Sequence, residues 1–218
     1  MIIYNKRPVI ILGAGGHAKV IANALIQSGR NVIGLVAPDE EEGTVKFGIK
    51  VLGNDDSLDS YSNSEILLAN GIGVLPGESL RWDLSHKMRA KGFEFVSVIH
   101  PSAIVASDVV FEEGVQVMAG AIIQPSVYIG RDTIINTASR VDHDCQIREN
   151  CHLSPGVTLS GGIKVGEGSH LGTGTIVIQN ISIGSNCVIA AGSVIYKDLK
   201  DATTLIQSKQ TMLKTEGV

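Results

Sequence analysis

The 218-residue chain has few aromatic residues, only three cysteines and no long apolar run. A membrane-spanning helix is not expected, since none of its apolar runs approaches the ~20 residues needed to cross a bilayer. No signal peptide precedes the first predicted strand, so we expect a cytoplasmic protein. A net charge of −4 argues against a nucleic-acid partner bound through its phosphates. The 4% of aromatic residues suits an interior built from Ile, Val and Leu.

A six-residue repeat covers the chain from Ile99 to Lys200. These 102 residues divide into 17 hexads without an insertion, and each hexad starts with an aliphatic residue or Phe. The fourth position is Gly, Asn or Asp in 14 of the 17, and these residues tolerate the positive φ of tight turns. A short fixed period indicates a solenoid, and the β-branched first positions favour strands. The pattern therefore predicts a parallel β-helix.

The three cysteines occupy one position of this repeat. Cys145, Cys151 and Cys187 are all fifth residues of their hexads, where the other residues are small or aliphatic. We interpret them as small interior residues of a protein in a reducing compartment.

The first hundred residues lack the repeat and alternate between strand and helix patterns. The predicted strands are Arg7–Leu12, Asn31–Ala37, Ser64–Ala69 and Phe93–Val98, and the predicted helices are Ala18–Ser28 and Gly77–Lys91. This alternation predicts a small Rossmann-like α/β domain with a parallel sheet. We expect an α/β domain over residues 1–98, a β-helix over 99–200 and a polar tail over 201–218.

A glycine-rich turn follows the first predicted strand. Gly13, Gly15 and Ala18 fit the G-x-G-x-x-G/A spacing, which lets backbone N–H groups approach a phosphate at a helix N-terminus. This turn is compatible with a nicotinamide or flavin site, or with an ordinary strand-to-helix connection. We favour a nucleotide-diphosphate site, because a β-helix offers no obvious centre for hydride transfer. Asp39, after the second strand, is then expected to reach a ribose or a base.

The hexad VDHDCQ carries a histidine and an aspartate at a predicted corner. His143 takes the third position, which faces outward, and an imidazole that titrates near ~6.5 suits a general base. Asp144 is either a turn-forming residue or the group that orients this imidazole. Gly161 lies 18 residues further on, in the coil stacked above, and its N–H could stabilise an oxyanion.

The two halves of the chain together resemble one family. The turn Gly13-Ala-Gly15-Gly16-His17, followed by hexads that contain Asn-x-x-x-x-Val-x-His-Asp-Cys, is similar to the bacterial UDP-4-amino-sugar N-acetyltransferases. The sialic acid O-acetyltransferases are close relatives of these enzymes. The resemblance covers roughly residues 8 to 198, and it implies a left-handed β-helix with three hexads in each coil.

The resemblance also implies a reaction and a set of site residues. In this family the N-terminal domain holds the UDP-sugar, the β-helix forms a homotrimer, and acetyl-CoA lies between neighbouring β-helices. By matching position, His143 is the general base, Asp144 the acid beside it, and Asn136 a further active-site residue. Gly13, Gly15, Gly16, His17, Asp39 and His152 are expected to bind the substrate, and Gly161 and His152 to contact acetyl-CoA.

Three other functions remain open from the sequence. A hydroxyl acceptor would make the protein an O-acetyltransferase of sialic acid or another sugar. A zinc site of the γ-type carbonic anhydrases is disfavoured, because His143, His152 and His170 are spaced 9 and 18 residues apart and form no close pair. A non-catalytic trimeric scaffold is disfavoured by the outward His143–Asp144 pair. No metal is expected. Because His143 and His152 lie half a coil apart, cooperation between them requires a second subunit.

Overall fold

A computed structural model describes residues 7–206 of the chain. The elements of the N-terminal domain are β1 (Val9–Leu12), α1 (Gly16–Gln27), β2 (Val32–Val36), β3 (Val45–Lys46), β4 (Ile49–Gly53), a 3₁₀ helix (Asp55–Ser60), β5 (Leu67–Asn70) and α2 (Leu80–Ala90). The five strands form one sheet with the order β3-β4-β2-β1-β5. They are parallel except for the antiparallel pair β3–β4.

Alternate side chains of strand β1 pack into two separate cores. Val9 and Ile11 belong to the core under α1, whereas Ile10 and Leu12 belong to the core that contains Met88 of α2. A strand covered on both faces reads as a continuous apolar run, which is why β1 could be predicted from the sequence. The α/β class of this domain is confirmed.

Two features of the N-terminal domain differ from prediction. The β3–β4 hairpin was not predicted, because its strands are short and its turn uses Phe47 and Gly48 at φ angles of 43° and 80°. In place of the predicted strand Phe93–Val98, Phe95 forms a single bridge to Leu68. Val98 belongs to the first strand of the β-helix.

Eighteen two-residue strands form the three faces of the β-helix. Apart from the last pair, β21–β23, each strand pairs in parallel with the strand three further along the chain, so that residues 18 apart stack, as in the Ile134–His152–His170 column. One face comprises β6 (Val98–Ile99), β9 (Gln116–Val117), β12 (Ile134–Ile135), β15 (His152–Leu153), β18 (His170–Leu171), β21 (Val188–Ile189) and β23 (Thr204–Leu205).

The other two faces complete the triangular coil. The second face comprises β7 (Ile104–Val105), β10 (Ile122–Ile123), β13 (Arg140–Val141), β16 (Thr158–Leu159), β19 (Ile176–Val177) and β22 (Val194–Ile195). The third comprises β8 (Val110–Phe111), β11 (Tyr128–Ile129), β14 (Gln146–Ile147), β17 (Lys164–Val165) and β20 (Ser182–Ile183). The β-helix predicted from the hexads is confirmed.

The fourth residue of each hexad forms a corner, as predicted. From Gly114 to Gly192, all 14 consecutive fourth positions have φ between 55° and 74°. Ala138 and Ser126 adopt this conformation as well as Gly, Asn and Asp. The three cysteines are free, buried and part of the β-helix core.

The end of the β-helix lies beyond the predicted boundary. Thr204 and Leu205 pair with Val188 and Ile189, so the coil continues past Lys200 into the segment predicted as a tail. The last coil spans 16 residues, from Ile189 to Leu205, whereas the others span 18. This shortening breaks the six-residue frame and hides the last strand in the sequence. The remainder of the predicted tail, residues 207–218, lies outside the described residues.

An ion-pair cluster joins α2 to the β-helix. Arg89 donates to both carboxylate oxygens of Asp132, at 2.6 and 3.0 Å, and its Nε atom donates to Glu113 at 3.1 Å. The carboxylate of Glu113 also accepts from the Phe95 N–H at 2.7 Å, and the Arg89 guanidinium lies 4.6 Å from the centre of the Phe95 ring. Asp132 is 3% exposed, so this contact is buried. The cluster fixes the α/β domain against one side of the coil.

Candidate active site

His143 and Asp144 form an exposed pair at the corner between β13 and β14. The Nδ1 atom of His143 lies 2.7 Å from Oδ2 of Asp144, and the two side chains are 61% and 65% exposed. Asp144 has a φ of 60°, so it forms the corner and also bonds the imidazole. Its hydrogen bond raises the pKa of His143, and the charge of nearby Asp142 acts in the same direction. The pair leaves Nε2 of His143 as the atom able to take a proton.

Gly161 lies directly against the His143 ring. A Cβ atom at position 161 would be 2.6 Å from both Cε1 and Nε2 of the imidazole, closer than any ordinary contact. In the same coil, the Gly162 N–H donates to the carbonyl of His143 at 2.8 Å. Within residues 7–206 the Gly161 N–H donates to no acceptor. The predicted stacking of residue 161 on residue 143 is therefore present, and the role of Gly161 in catalysis stays a prediction.

Asn136 and His152 form a second pair on another part of the coil. Asn136 Oδ1 accepts the N–H of Thr137 at 2.8 Å, which turns Nδ2 towards Nε2 of His152 at 3.1 Å. His152 is 8% exposed, and burial lowers its pKa to about 3, helped by the neighbouring His170. The resemblance predicts Asn136 as a further active-site residue, and that role stays a prediction. Within one chain it contacts His152, because it follows a strand of the face that carries His152.

His17 joins the glycine turn to this same face. Its Nε2 lies 2.8 Å from Oε1 of Gln116, and Gln116 Nε2 donates to the carbonyl of Asn70 at 2.7 Å. Because Gln116 uses its amide to donate to Asn70, its oxygen accepts from His17, and His17 carries its proton on Nε2. Burial lowers the pKa of His17 to about 4, and the charge of Arg81 adds to this effect.

The glycine turn opens on an unblocked helix N-terminus. Helix α1 starts at Gly16 with Gly15 as its cap, no side chain caps it, and its first turn has no acidic residue. A Cβ atom at Gly15 or Gly16 would have no neighbour within 4 Å, whereas Gly13 has a φ of 102°. Asp39 is exposed and follows β2, at the same carboxyl edge of the sheet. This edge has free backbone donors for an anionic group.

The predicted site residues therefore form two groups in one chain. His143, Asp144 and Gly161 lie at one corner, while His17, Asn136 and His152 lie where the α/β domain meets the first face. Sequence reasoning missed Gln116, Arg81 and His170 in the second group. Gln116 and His170 stand 36 residues before and 18 residues after His152, so the coil period could have found them.

The comparisons with known proteins agree with this architecture. Residues 8–87 match the PglD N-terminal domain family, and residues 162–197 match the bacterial transferase hexapeptide family. A GDP-perosamine N-acetyltransferase from Caulobacter crescentus, solved as a histidine-to-alanine variant with CoA and GDP-perosamine, is 39% identical with a TM-score of 0.84. The similarity covers 90% of this chain and 92% of that one.

This chain belongs to the hexapeptide-repeat acyltransferases. A second family member is the acetyltransferase domain of PglB from Neisseria gonorrhoeae FA1090, solved with acetyl coenzyme A. It is 33% identical, with a TM-score of 0.84 and coverage of 92% of this chain and 96% of that one. A curated GDP-perosamine N-acetyltransferase from Escherichia coli O157:H7 is 25% identical over 119 residues, or 55% of this chain. Three curated relatives are matched over only 28%, 48% and 53% of their own lengths.

These findings confirm the family and the left-handed β-helix implied by the resemblance. Two further observations concern residues 7–206 alone. They contain no helix long and apolar enough to cross a membrane. In the same range, no group of three or more His, Cys, Asp or Glu side chains is arranged to hold a metal ion.

Proposed function

We propose that this chain transfers the acetyl group of acetyl-CoA to the amine of a nucleotide-linked 4-amino sugar. The observation that carries the proposal is the His143 imidazole, which Asp144 holds at Nδ1 while Nε2 lies against Gly161. A general base needs a hydrogen-bonded partner on one nitrogen and access to the substrate on the other. Membership of the acyltransferase family, and similarity to proteins solved with CoA and an amino sugar nucleotide, support this reaction.

The proposed step is a direct transfer without an acyl-enzyme. The amine nitrogen attacks the thioester carbonyl, and His143 Nε2 takes the amine proton as the C–N bond forms. The Gly161 N–H donates to the carbonyl oxygen while it carries negative charge. The C–S bond then breaks, and the CoA sulfur receives the proton from the imidazolium. Asp144 stabilises that imidazolium through Nδ1–H. The buried cysteines are not needed as nucleophiles.

The nucleotide is proposed to bind at the glycine turn. The uncapped N-terminus of α1 at Gly16 supplies backbone donors and a positive dipole end for a diphosphate. Asp39 is exposed at the same edge and is a candidate ligand of the ribose or the base. The resemblance predicts UDP, whereas the 39% identical relative was solved with GDP-perosamine. Both nucleotides therefore belong in the assay.

A homotrimer is proposed to bring the two groups of site residues together. In one chain, His143 stands at the corner between the second and third faces, whereas His152 lies on the first. The second face also exposes Ile104, Ile176 and Val194, which are 65%, 46% and 55% accessible. Exposed apolar residues aligned on one face indicate contact with another protein surface. A neighbouring copy is the partner that would also complete the site.

The reaction is tested by thiol release from acetyl-CoA. We expect release with a UDP- or GDP-linked 4-amino sugar and none with free or CMP-linked sialic acid; the reverse would favour the O-acetyltransferase. His143→Ala should lower kcat by roughly 10²–10⁴ without loss of assembly. Near-normal turnover in that variant would show that His143 is not the general base. Asp144→Ala should cost less than His143→Ala, and Ala138 indicates that alanine fits this corner.

The shared site is tested by mixing two inactive variants. His143→Ala and His17→Ala are each expected to have low activity. If the site combines residues of two copies, refolding them together should regain a fraction of the wild-type rate, because some interfaces then contain neither substitution. Light scattering measures the oligomer in parallel. A mixture no more active than its components would indicate that each copy works alone.

A further inference from the structure

A cleft lies between the α/β domain and the β-helix, away from the His143 corner. One wall is the segment from Val74 to Trp82, at the start of α2, and the other includes Asn150, Gly168 and His170. Its volume is about 280 Å³. We call it the junction cleft. None of the site residues predicted from the sequence lines it.

Arg81 brings a buried positive charge to the wall of the junction cleft. It is 7% exposed, and its Nη1 donates to the carbonyls of Asn70 and Ile72, at 2.9 and 2.7 Å. Its Nε and Nη2 atoms are buried and have no hydrogen-bond partner in residues 7–206. Asp132 acts on Arg81 only at a distance, because its two oxygens are both bonded to Arg89. A buried guanidinium with two unused donors is costly unless a ligand completes it.

Two imidazoles next to the cleft also have unused nitrogens. His152 accepts from Asn136 at Nε2, so its proton is on Nδ1, and this Nδ1–H is buried without a partner. His170 lines the cleft, and its ring packs edge-on against His152 with centres 4.8 Å apart. Its Nδ1 is likewise buried and unpartnered in the described part of the chain, while Nε2 lies 3.3 Å from the Ser154 hydroxyl.

These unused groups are of one kind, and Arg81 and His170 both line the cleft. Arg81 Nε, Arg81 Nη2 and His152 Nδ1 can only donate, and His170 Nδ1 donates in one of its tautomers. The acidic residue on the cleft wall, Glu78, is exposed and free to turn to solvent. Donors on two walls of one cleft, one of them a guanidinium, suit an oxyanion with several acceptor oxygens.

We propose that the junction cleft binds a phosphoryl group, with Arg81 as its main ligand and His170 as an additional donor. The inference rests on the proposed function for its choice of ligands, since both the nucleotide sugar and CoA carry phosphates. It adds a second anion site to the N-terminus of α1. The test measures ligand binding and not turnover. Its result can therefore be interpreted even if the chain does not transfer acetyl groups.

The test is calorimetric titration of the full chain with UDP, GDP, CoA and inorganic phosphate. Arg81→Lys keeps the charge and can still bond the two carbonyls, but it lacks the Nε and Nη2 donors. It should weaken the phosphate-bearing ligand of this cleft about tenfold or more. His170→Phe should weaken it several-fold, and Lys164→Met, which removes an exposed lysine of the third face, should change nothing. A loss confined to UDP and GDP assigns the nucleotide, and a loss confined to CoA assigns the coenzyme.

If Arg81→Lys does not fold, His170→Phe and the wild-type protein still decide the question. Histidine ¹⁵N spectra of the wild type should show the Nδ1 signal of His170 shifting as the ligand is added. All four ligands binding to the two cleft variants within twofold of the wild type would overturn the proposal. So would an unchanged Nδ1 signal at saturating ligand.

Discussion

Replacing Gly161 by alanine tests the proposed site through a single methyl group. The new Cβ would lie 2.6 Å from Cε1 and Nε2 of His143, where ordinary contacts begin at 3.4 Å. The imidazole must therefore move by about 0.8 Å or rotate away. A displacement of about 1 Å in a catalytic group can cost 10²-fold in rate. We expect kcat to fall about 10²-fold, with little change in KM for the nucleotide sugar.

The backbone at this position is not itself a reason for glycine. Gly161 is absent from the residues with positive φ, and Ala119 and Ala191 occupy the same third position of their hexads. His143 is 61% exposed, so its ring can swing into solvent without unpacking the core. The melting temperature of Gly161→Ala should therefore stay close to that of the wild type. Thr173→Ala, a third-position change in a later hexad, is the matched control and should leave kcat unchanged.

A double variant separates this explanation from a general disturbance of the coil. With His143→Ala already present, there is no ring for the new methyl to displace, so adding Gly161→Ala should lower kcat little further. Turnover of Gly161→Ala near the wild-type rate would refute the contact between the catalytic imidazole and residue 161. Two losses that simply multiply in the double variant would indicate that the methyl acts elsewhere.

The remaining predictions concern stability. Arg89→Met leaves the buried carboxylate of Asp132 without its ion-pair partner. It should lower the free energy of unfolding by about 3–5 kcal/mol in urea titrations. Lys87→Met, which removes an exposed ion pair of the same helix, should change the urea midpoint far less than Arg89→Met, and equal losses would contradict the burial argument. Burial lowers the pKa of His17 to about 4 and that of His152 to about 3, so the unfolded chain binds more protons below pH 6.5. Each imidazole should therefore remove about 1.4 kcal/mol of stability between pH 7.5 and 5.5, and urea midpoints unchanged over that range would contradict their burial as neutral groups.

The sequence predicted those parts of the fold that obey a period. A six-residue repeat fixes which residues point inward, where the corners fall and which residues stack 18 apart, so the position of Gly161 against His143 followed from counting. The six-residue period did not predict the last strand, because the coil shortens to 16 residues before Leu205. It also gave no access to the β3–β4 hairpin, whose short strands and positive-φ turn at Phe47 have no periodic signal.

The six-residue period alone could not predict which site residues contact one another. The position of Asn136 in its hexad places it just after the first face, but the contact with His152 also depends on Thr137, which turns its amide. The position of His17 depends on how the α/β domain packs on the coil, and that packing uses contacts such as Gln116 to Asn70. Such contacts join segments 46 residues or more apart and leave no regular spacing in the sequence.

The α/β domain covers the first face of the coil, and this explains why the imidazoles of the second group of site residues are neutral. On the third face of the coil, the sixth-position side chain of Lys164 is exposed to solvent. On the first face the α/β domain excludes water, so ionisation of His152 is opposed by burial and by the nearby Arg81. Neutral imidazoles there keep one N–H donor each without adding a second charge beside the guanidinium. A phosphoryl group entering next to Arg81 would reverse that balance, since a bound anion favours protonation of the same rings. Ligand binding at the junction cleft should therefore raise the pKa of His152 above its value in the free protein. Histidine NMR titrations with and without the ligand measure this change, and an unchanged pKa would contradict an anion bound beside Arg81.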